Sequence, residues 1–257
     1  MKSQSEIGRI IGLIKYNRDW LPYLLNRYRR PASGASTTYR LRNGQTISIP
    51  HDARFTLNEI YLDRVYDVPG FDMSRCRTVF DVGANVGVFA LYMASRAPDS
   101  AIYCFEPQSS NFENLHRNFA AAGVRGQVYK LALSANSGVA ELSLNGNSVE
   151  YSIKSHPSET NFSEKIDCVS WSDAVRLTGT DWIDFVKMDI EGAELEVLSS
   201  CTDEQLFGIG ALSLEWHYSM DELQPVADRF RRLGFEVTVE LINNQRHLKA
   251  LQKSKAG

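Results

Sequence analysis

Val79-Phe80-Asp81-Val82-Gly83-Ala84-Asn85-Val86-Gly87-Val88-Phe89 decides how the rest of the chain is read. Thr78–Val82 is an apolar run suited to a buried strand, and Gly87–Ala97 is an apolar stretch suited to a helix. Between them, Gly83 and Gly87 permit a tight turn and close approach of a ligand to the backbone. The start of such a helix presents unpaired N–H groups and a positive dipole end. A dinucleotide fingerprint would need G-x-G-x-x-G. Asn85 and Val88 stand where its second and third glycines should be, so that pattern fails. The pattern present is Asp81-x-Gly83-x-Asn85-x-Gly87.

Downstream, strand and helix patterns alternate. A second strand is predicted over Ala101–Phe105 and a helix over Asn111–Ala122, stopped by Gly123. Val128–Leu133 reads as a third strand. An extra antiparallel strand is expected at 139–144, after the Asn136-Ser137-Gly138 turn. Asn145–Phe162 is polar and reads as a loop or lid. The alternation resumes with a helix at Ser172–Leu177, a strand at Trp182–Asp189, a helix at Ala193–Ser199 and a strand at Ala211–His217. A helix at Glu222–Leu233 and a strand at Phe235–Leu241 follow. A hairpin then leads into a last strand near Leu248–Leu251, with a frayed tail over Gln252–Gly257. Repeated βα units predict an α/β fold with a doubly wound, mainly parallel sheet. The closing hairpin places one antiparallel strand in it near the C-terminus.

Upstream lies a helical and hairpin extension. Residues 5–30 are amphipathic and basic, with a break expected at Asp19 before Trp20. They could cap the core, touch an anionic membrane surface or form a homodimer contact. Thr37–Pro50 alternates around Asn43-Gly44, a strong hairpin signal. The expected division is 1–77 for this cap and 78–257 for the main domain.

The bulk numbers are restrictive. The 257 residues, 43% hydrophobic, suffice for one large core. A net charge of −3 lacks the basic excess of a general nucleic-acid binder. Cys76, Cys104, Cys168 and Cys201 form no CxxC pair, so neither a zinc site nor a disulfide framework is expected. No apolar run is long enough for a membrane helix. Glu6, Arg9 and Lys15 interrupt any signal-peptide core. The expected location is the cytoplasm.

The second strand ends in Phe105-Glu106-Pro107. An acidic residue at that tip is placed to accept ribose hydroxyls, because ligands of open α/β sheets bind beyond the carboxyl ends of the strands. The plain alternatives are an ordinary tight turn and a solvated carboxylate. A further informative stretch is Ile183-Asp184-Phe185-Val186-Lys187-Met188-Asp189-Ile190-Glu191-Gly192-Ala193-Glu194-Leu195-Glu196-Val197-Leu198. With DVGANVG at 81–87, FEP at 105–107, Ala132–Ser134 and the strand end Leu214–His217, the chain resembles the FkbM family of methyltransferases over roughly 78–240. That resemblance implies a Rossmann-like class I methyltransferase fold. It also implies S-adenosylmethionine as cofactor and O-methylation of a hydroxyl on a natural product or glycan. Its cofactor-binding residues would be Asp81, Gly83, Asn85, Gly87, Glu106, Pro107 and Leu133. A non-catalytic cofactor-binding scaffold, or a methyltransferase for another acceptor such as a peptide side chain, remains the alternative.

Methyl transfer from a sulfonium is an in-line displacement, helped most by alignment of the acceptor oxygen. A base helps as the hydroxyl reacts. Asp189, Glu191 and His217, at or just beyond strand ends, are the candidate catalytic residues. Asp189 could instead cap the next helix, and Lys187 is expected to pair with Asp189 or Glu215. Asp189, Glu215 and His217 could also form a magnesium site. Carboxylates on adjacent strands often meet by chance, so no metal is expected. The Asn/Asp-Pro-Pro-aromatic turn of many N-methyltransferases is replaced by Asp189-Ile190-Glu191-Gly192, which disfavours nucleobase or amide acceptors.

Overall fold

The computed structural model describes residues 6–26, 35–144, 151–154 and 163–253. Helices α1 (Glu6–Tyr16) and α2 (Trp20–Asn26) are separated where the break was expected. Asp19 holds the junction: its carboxylate accepts from the Arg40 backbone N–H at 2.8 Å and pairs with the Arg40 guanidinium at 2.6 Å. Strands β1 (Ser36–Arg40) and β2 (Thr46–Pro50) form the predicted antiparallel hairpin. A short helix, α3 (Thr56–Asn58), then runs into a π-helical turn over Glu59–Asp63. No element was expected there.

The main body begins with β3 (Thr78–Val82), α4 (Val88–Arg96), β4 (Ala101–Phe105), α5 (Ser109–Ala121) and β5 (Gly126–Tyr129). It continues through β6 (Ala132–Leu133), β7 (Gly138–Leu144), β8 (Tyr151–Lys154), β9 (Ser163–Val169) and α6 (Trp171–Thr178). The last part comprises β10 (Ile183–Met188), α7 (Glu194–Ser200), α8 (Asp203–Phe207), β11 (Ile209–Trp216), α9 (Met220–Arg232), β12 (Phe235–Ile242) and β13 (Gln245–Gln252). The central sheet has the order β12-β13-β11-β10-β3-β4-β5. Its pairings are parallel except where β13 runs antiparallel to both β11 and β12. The single antiparallel strand near the C-terminus is thus present. Succession along the sheet reverses between β3 and β10, the switch point at which ligands bind in such sheets.

Both faces of this sheet are covered, which explains the near-continuous apolar strands. Alternate residues point to opposite faces: Val79 and Phe185 join one core, and Phe80 and Val186 the other. The first core includes Leu13, Tyr23, Leu41, Ile47 and Leu57 beside Phe89 and Ile102. Residues before and after position 77 therefore share one apolar interior. Burying a side chain such as Phe185 contributes about 1.5–3 kcal/mol. Ile11, Leu21 and Leu25 remain exposed on the N-terminal helices. Among the described residues, no helix is long and apolar enough to cross a membrane.

Three expectations are corrected. Val128–Leu133 is not one strand: β5 edges the central sheet, whereas β6 pairs in parallel with β9 in a second sheet of order β6-β9-β7-β8. Periodicity alone does not reveal that the two ends of this run, on either side of Lys130, serve different sheets. The stretch 145–162 is not wholly a loop, because β8 within it pairs with β7; residues 145–150 and 155–162 lie outside the described residues. β9 carried no predicted element, although Ile166 and Cys168 are buried and alternate with the exposed Lys165 and Asp167. Gln252 is not frayed but buried and paired with Phe235, and Ser254–Gly257 lie outside the described residues.

Candidate functional site

The turn after β3 meets the turn after β10. Gly83 has φ +74°, and a Cβ there would lie 1.7 Å from the Asp189 carbonyl oxygen. Only a residue without a side chain allows the two turns this contact. The Gly83 and Ala84 N–H groups both donate to the Phe105 carbonyl at 3.0 Å, drawing the end of β4 to the same place. Asn85 is also left-handed, at φ +49°. Its backbone N–H donates to Glu106 Oε2 at 2.9 Å. Gly87, at φ +87°, sits at the N-cap of α4 and packs against Leu115.

Glu106 is not a solvated carboxylate. It is 5% exposed, and its other oxygen accepts from the Gln108 N–H at 3.0 Å. Burial pushes its pKa up to about 7, against the pull of those backbone donors and of Lys187. Gly83, Asn85, Glu106, Pro107 and Leu133 line a single cleft that also reaches Asp189 and Glu191. Gly87 shapes the turn from behind rather than lining the cleft. Asp81 does not line it either. It is fully buried below the turn, where its carboxylate faces Lys187 Nζ at 3.6 Å.

The far end of the cleft is acidic. Lys187 Nζ donates to the Gly83 carbonyl at 2.5 Å and lies 3.8 Å from Asp189 Oδ2. The expected pairing with Asp189 is present, and Asp81 shares it. Tyr66 Oη donates to Asp189 Oδ2 at 2.8 Å, reaching across 123 positions of chain. Burial, then the charge of Asp189, raises the tyrosine's pKa, so the hydroxyl stays a donor. Glu191 occupies a left-handed turn position, φ +51°. Burial and the neighbouring Asp189 push its pKa up to about 8.

His217 does not line the cleft but stands just behind its acidic wall. Nε2 lies 3.2 Å from Glu191 Oε2, 3.5 Å from Glu215 Oε1 and 3.9 Å from Asp189 Oδ1. Nδ1 is 2.8 Å from Glu194 Oε1. Burial opposes a charge on this ring, but Glu194 and Glu215 outweigh it and hold the pKa at about 11. The protonated ring is therefore the favoured form. The reason is the number of carboxylates that surround it.

The sequence reading missed two residues that organise this end. Tyr66 offered no signal, because nothing local ties residue 66 to residue 189. Glu194 was legible only as part of a motif. It is fully buried and accepts from the Ile190 and Gly192 N–H groups at 3.2 Å and 3.1 Å as well as facing His217. It thereby ties the Asp189–Gly192 turn to the end of β11.

Known proteins can be set beside this geometry. The model of the methyltransferase FkbM domain matches residues 81–237. The 31-O-demethyl-FK506 methyltransferase FkbM of Streptomyces tacrolimicus is 28% identical over 235 residues, covering 79% of this chain and 90% of the relative. The AMB antimetabolite synthetase AmbE of Pseudomonas aeruginosa is 27% identical over 231 residues, 74% of this chain. The chain spans only 11% of that synthetase's length. Among solved structures, the human methyltransferase 10 domain containing protein superposes with a TM-score of 0.50 at 15% identity. That match covers 97% of this chain and 98% of the other, and it shows a shared class I Rossmann-like fold.

Proposed function

The chain belongs to the FkbM family of methyltransferases, and from that premise we propose that it transfers a methyl group from S-adenosylmethionine to a hydroxyl of a natural product or glycan. One observation carries the reading. A single cleft runs from the glycine turn and Glu106 to Asp189 and Glu191, so a cofactor and an acceptor can meet within it. The Streptomyces relative, a 31-O-demethyl-FK506 methyltransferase, supports a hydroxyl as acceptor.

The residues present fit this cofactor. Glu106 is a buried carboxylate at the edge of the cleft, a group that needs donors such as a pair of ribose hydroxyls. Pro107 and Leu133 give apolar surface beside it. The turn at Gly83 and Asn85 brings bare backbone to the cleft for the amino-acid end. When bound, S-adenosylmethionine supplies an electrophilic methyl group on a sulfonium. The chain's own residues then orient the acceptor and take its proton. Asp189 is held by Tyr66 and Lys187, which suits it to accept a hydrogen bond from the acceptor and fix its direction. Glu191 lines the cleft and is the carboxylate we assign to receive the hydroxyl proton. Phe89, Leu133 and Ile190 are apolar lining that restricts water.

Calorimetric titration with S-adenosylhomocysteine tests this directly. Glu106→Ala removes charged hydrogen-bond acceptors worth about 1.5–3 kcal/mol each. Affinity is expected to fall at least about tenfold. No binding to folded wild-type protein, or equal binding to the variant, would overturn the reading.

Affinity is also expected to depend on pH. Hydroxyl donors favour ionised Glu106, so below its pKa of about 7 binding must expel a proton. Affinity should rise by up to about tenfold per pH unit below 7 and level off above it. Free-protein stability runs the other way. Folding holds this group above its unfolded pKa, so its contribution declines as pH rises from the ordinary glutamate value toward 7. Titrations in buffers of different ionisation enthalpy would detect the released proton. A flat profile from pH 6 to 8 would remove Glu106 from the contact.

A further inference from the structure

We propose that Asp189, Glu215 and His217 bind a divalent cation at the acidic end of the cleft. One ligand atom from each converges, all within 4.8 Å of one another. His217 Nε2 is 3.5 Å from Glu215 Oε1 and 3.9 Å from Asp189 Oδ1. Bonds of about 2.1 Å around an octahedral ion would put neighbouring ligand atoms about 3.0 Å apart and opposing ones about 4.2 Å apart. The two separations measured from His217 Nε2, 3.5 Å and 3.9 Å, fall between those values.

The surroundings fit the same occupant. A metal-bound imidazole characteristically has its second nitrogen fixed by a carboxylate, which sets the tautomer and the ring direction. Here the fully buried Glu194 faces His217 Nδ1 at 2.8 Å and leaves Nε2 toward Glu191, Glu215 and Asp189. Tyr66 fixes Asp189 through Oδ2, whereas the solvent-shielded Oδ1 has no hydrogen-bond partner.

An independent sign comes from β13. His247 is 1% exposed, and neither ring nitrogen has a hydrogen-bond partner. It stands directly opposite Glu215 in the β11–β13 ladder, so the two side chains share a face. Its ring also meets the edge of Tyr66, with centroids 6.0 Å apart. A buried imidazole without partners beside this cluster is expensive unless something polar comes to it. A water carried by the ion would give it one.

Two carboxylates and an imidazole suit a cation of the manganese class better than calcium. The ion would take the place of the Nε2 proton, which leaves to solvent. It could then hold the acceptor oxygen, and this role rests on the methyl-transfer reading above. Binding of the ion itself does not.

The test uses the full chain without cofactor or acceptor. Mn²⁺ is titrated in while the electron paramagnetic resonance signal of free Mn²⁺ is followed, and Mg²⁺ is then added as competitor. The expected result is one saturable ion per chain. Glu215→Gln and His217→Gln should each weaken it at least about tenfold. Glu194→Gln leaves the three ligands in place and should weaken it by about 10–100-fold. Thermal melts and S-adenosylhomocysteine titrations on the same samples show which variants are folded. A wild-type protein that binds S-adenosylhomocysteine but takes up no Mn²⁺ would overturn the ion site and leave the methyl-transfer reading standing. One that takes up Mn²⁺ but does not bind S-adenosylhomocysteine would do the reverse. Mn²⁺ affinity equal in wild type and all three variants would place the ion elsewhere and overturn the site.

Discussion

Gly83→Ala is expected to abolish S-adenosylhomocysteine binding and to lower the melting temperature of the free protein. The backbone at position 83 has φ +74°, a conformation that costs a residue with a side chain about 1–3 kcal/mol. The larger penalty is steric. The added methyl would lie 1.7 Å from the carbonyl oxygen and 2.8 Å from the carbonyl carbon of Asp189. Both atoms belong to backbone, so relief requires the two turns to part. Parting them moves Asp189 away from Tyr66 and breaks the short reach of Lys187 to the Gly83 carbonyl. Gly87→Ala is the informative control. It shares the positive φ, but its nearest obstacle is Leu115 Cδ1 at 2.8 Å, the mobile end of a side chain. Its loss of stability should be the smaller of the two. A Gly83→Ala protein with wild-type melting temperature and affinity would show that contact between the turns is dispensable.

Lys187→Met is expected to cost about 3–5 kcal/mol of stability, the usual penalty for removing one partner of a buried ion pair. The Lys187 side chain is 5% exposed, and its ammonium sits between Asp81, fully buried, and Asp189. Burial alone pushes the Asp81 carboxyl up, and the Lys187 charge is the main influence pulling it back. Methionine fills much of the same space but leaves Asp81 facing no cation. Urea unfolding would measure the loss. Adding Asp81→Asn should return part of it, because the stranded charge is then gone. Strict additivity of the two substitutions would mean that the pair is not coupled and that the lysine acts only through the Gly83 carbonyl.

These two positions also mark how far sequence reasoning reaches. Gly83 is legible, since the end of a strand, a glycine turn and the start of an apolar helix lie within eleven consecutive residues and short-range sterics govern them. Glu106 is legible for a similar reason, because a parallel neighbour brings the next strand tip beside the turn. The corrections concern longer reach. β9 carries an alternating pattern that was present to be read, but its partners β6 and β7 are set by pairing across the loop region. Asp81 reads as a ligand-facing acid from its motif. In the fold it lies one layer below, since it is the partner of Lys187 that determines its place.

The sequence by itself determined the α/β class, the antiparallel strand near the C-terminus, the glycine turn and the acidic tip of the second strand. All of these follow from periodicity, backbone freedom and neighbours close in the chain. Only the tertiary structure decided what the acidic residues are to one another. Tyr66 reaches Asp189, Glu194 faces His217, and His247 stands opposite Glu215 because separate strands and turns end at one point. The charge on His217 and the proton affinities of Glu106 and Glu191 depend on burial and on distances of a few ångströms. Such distances are properties of packing, and no spacing along the chain records them.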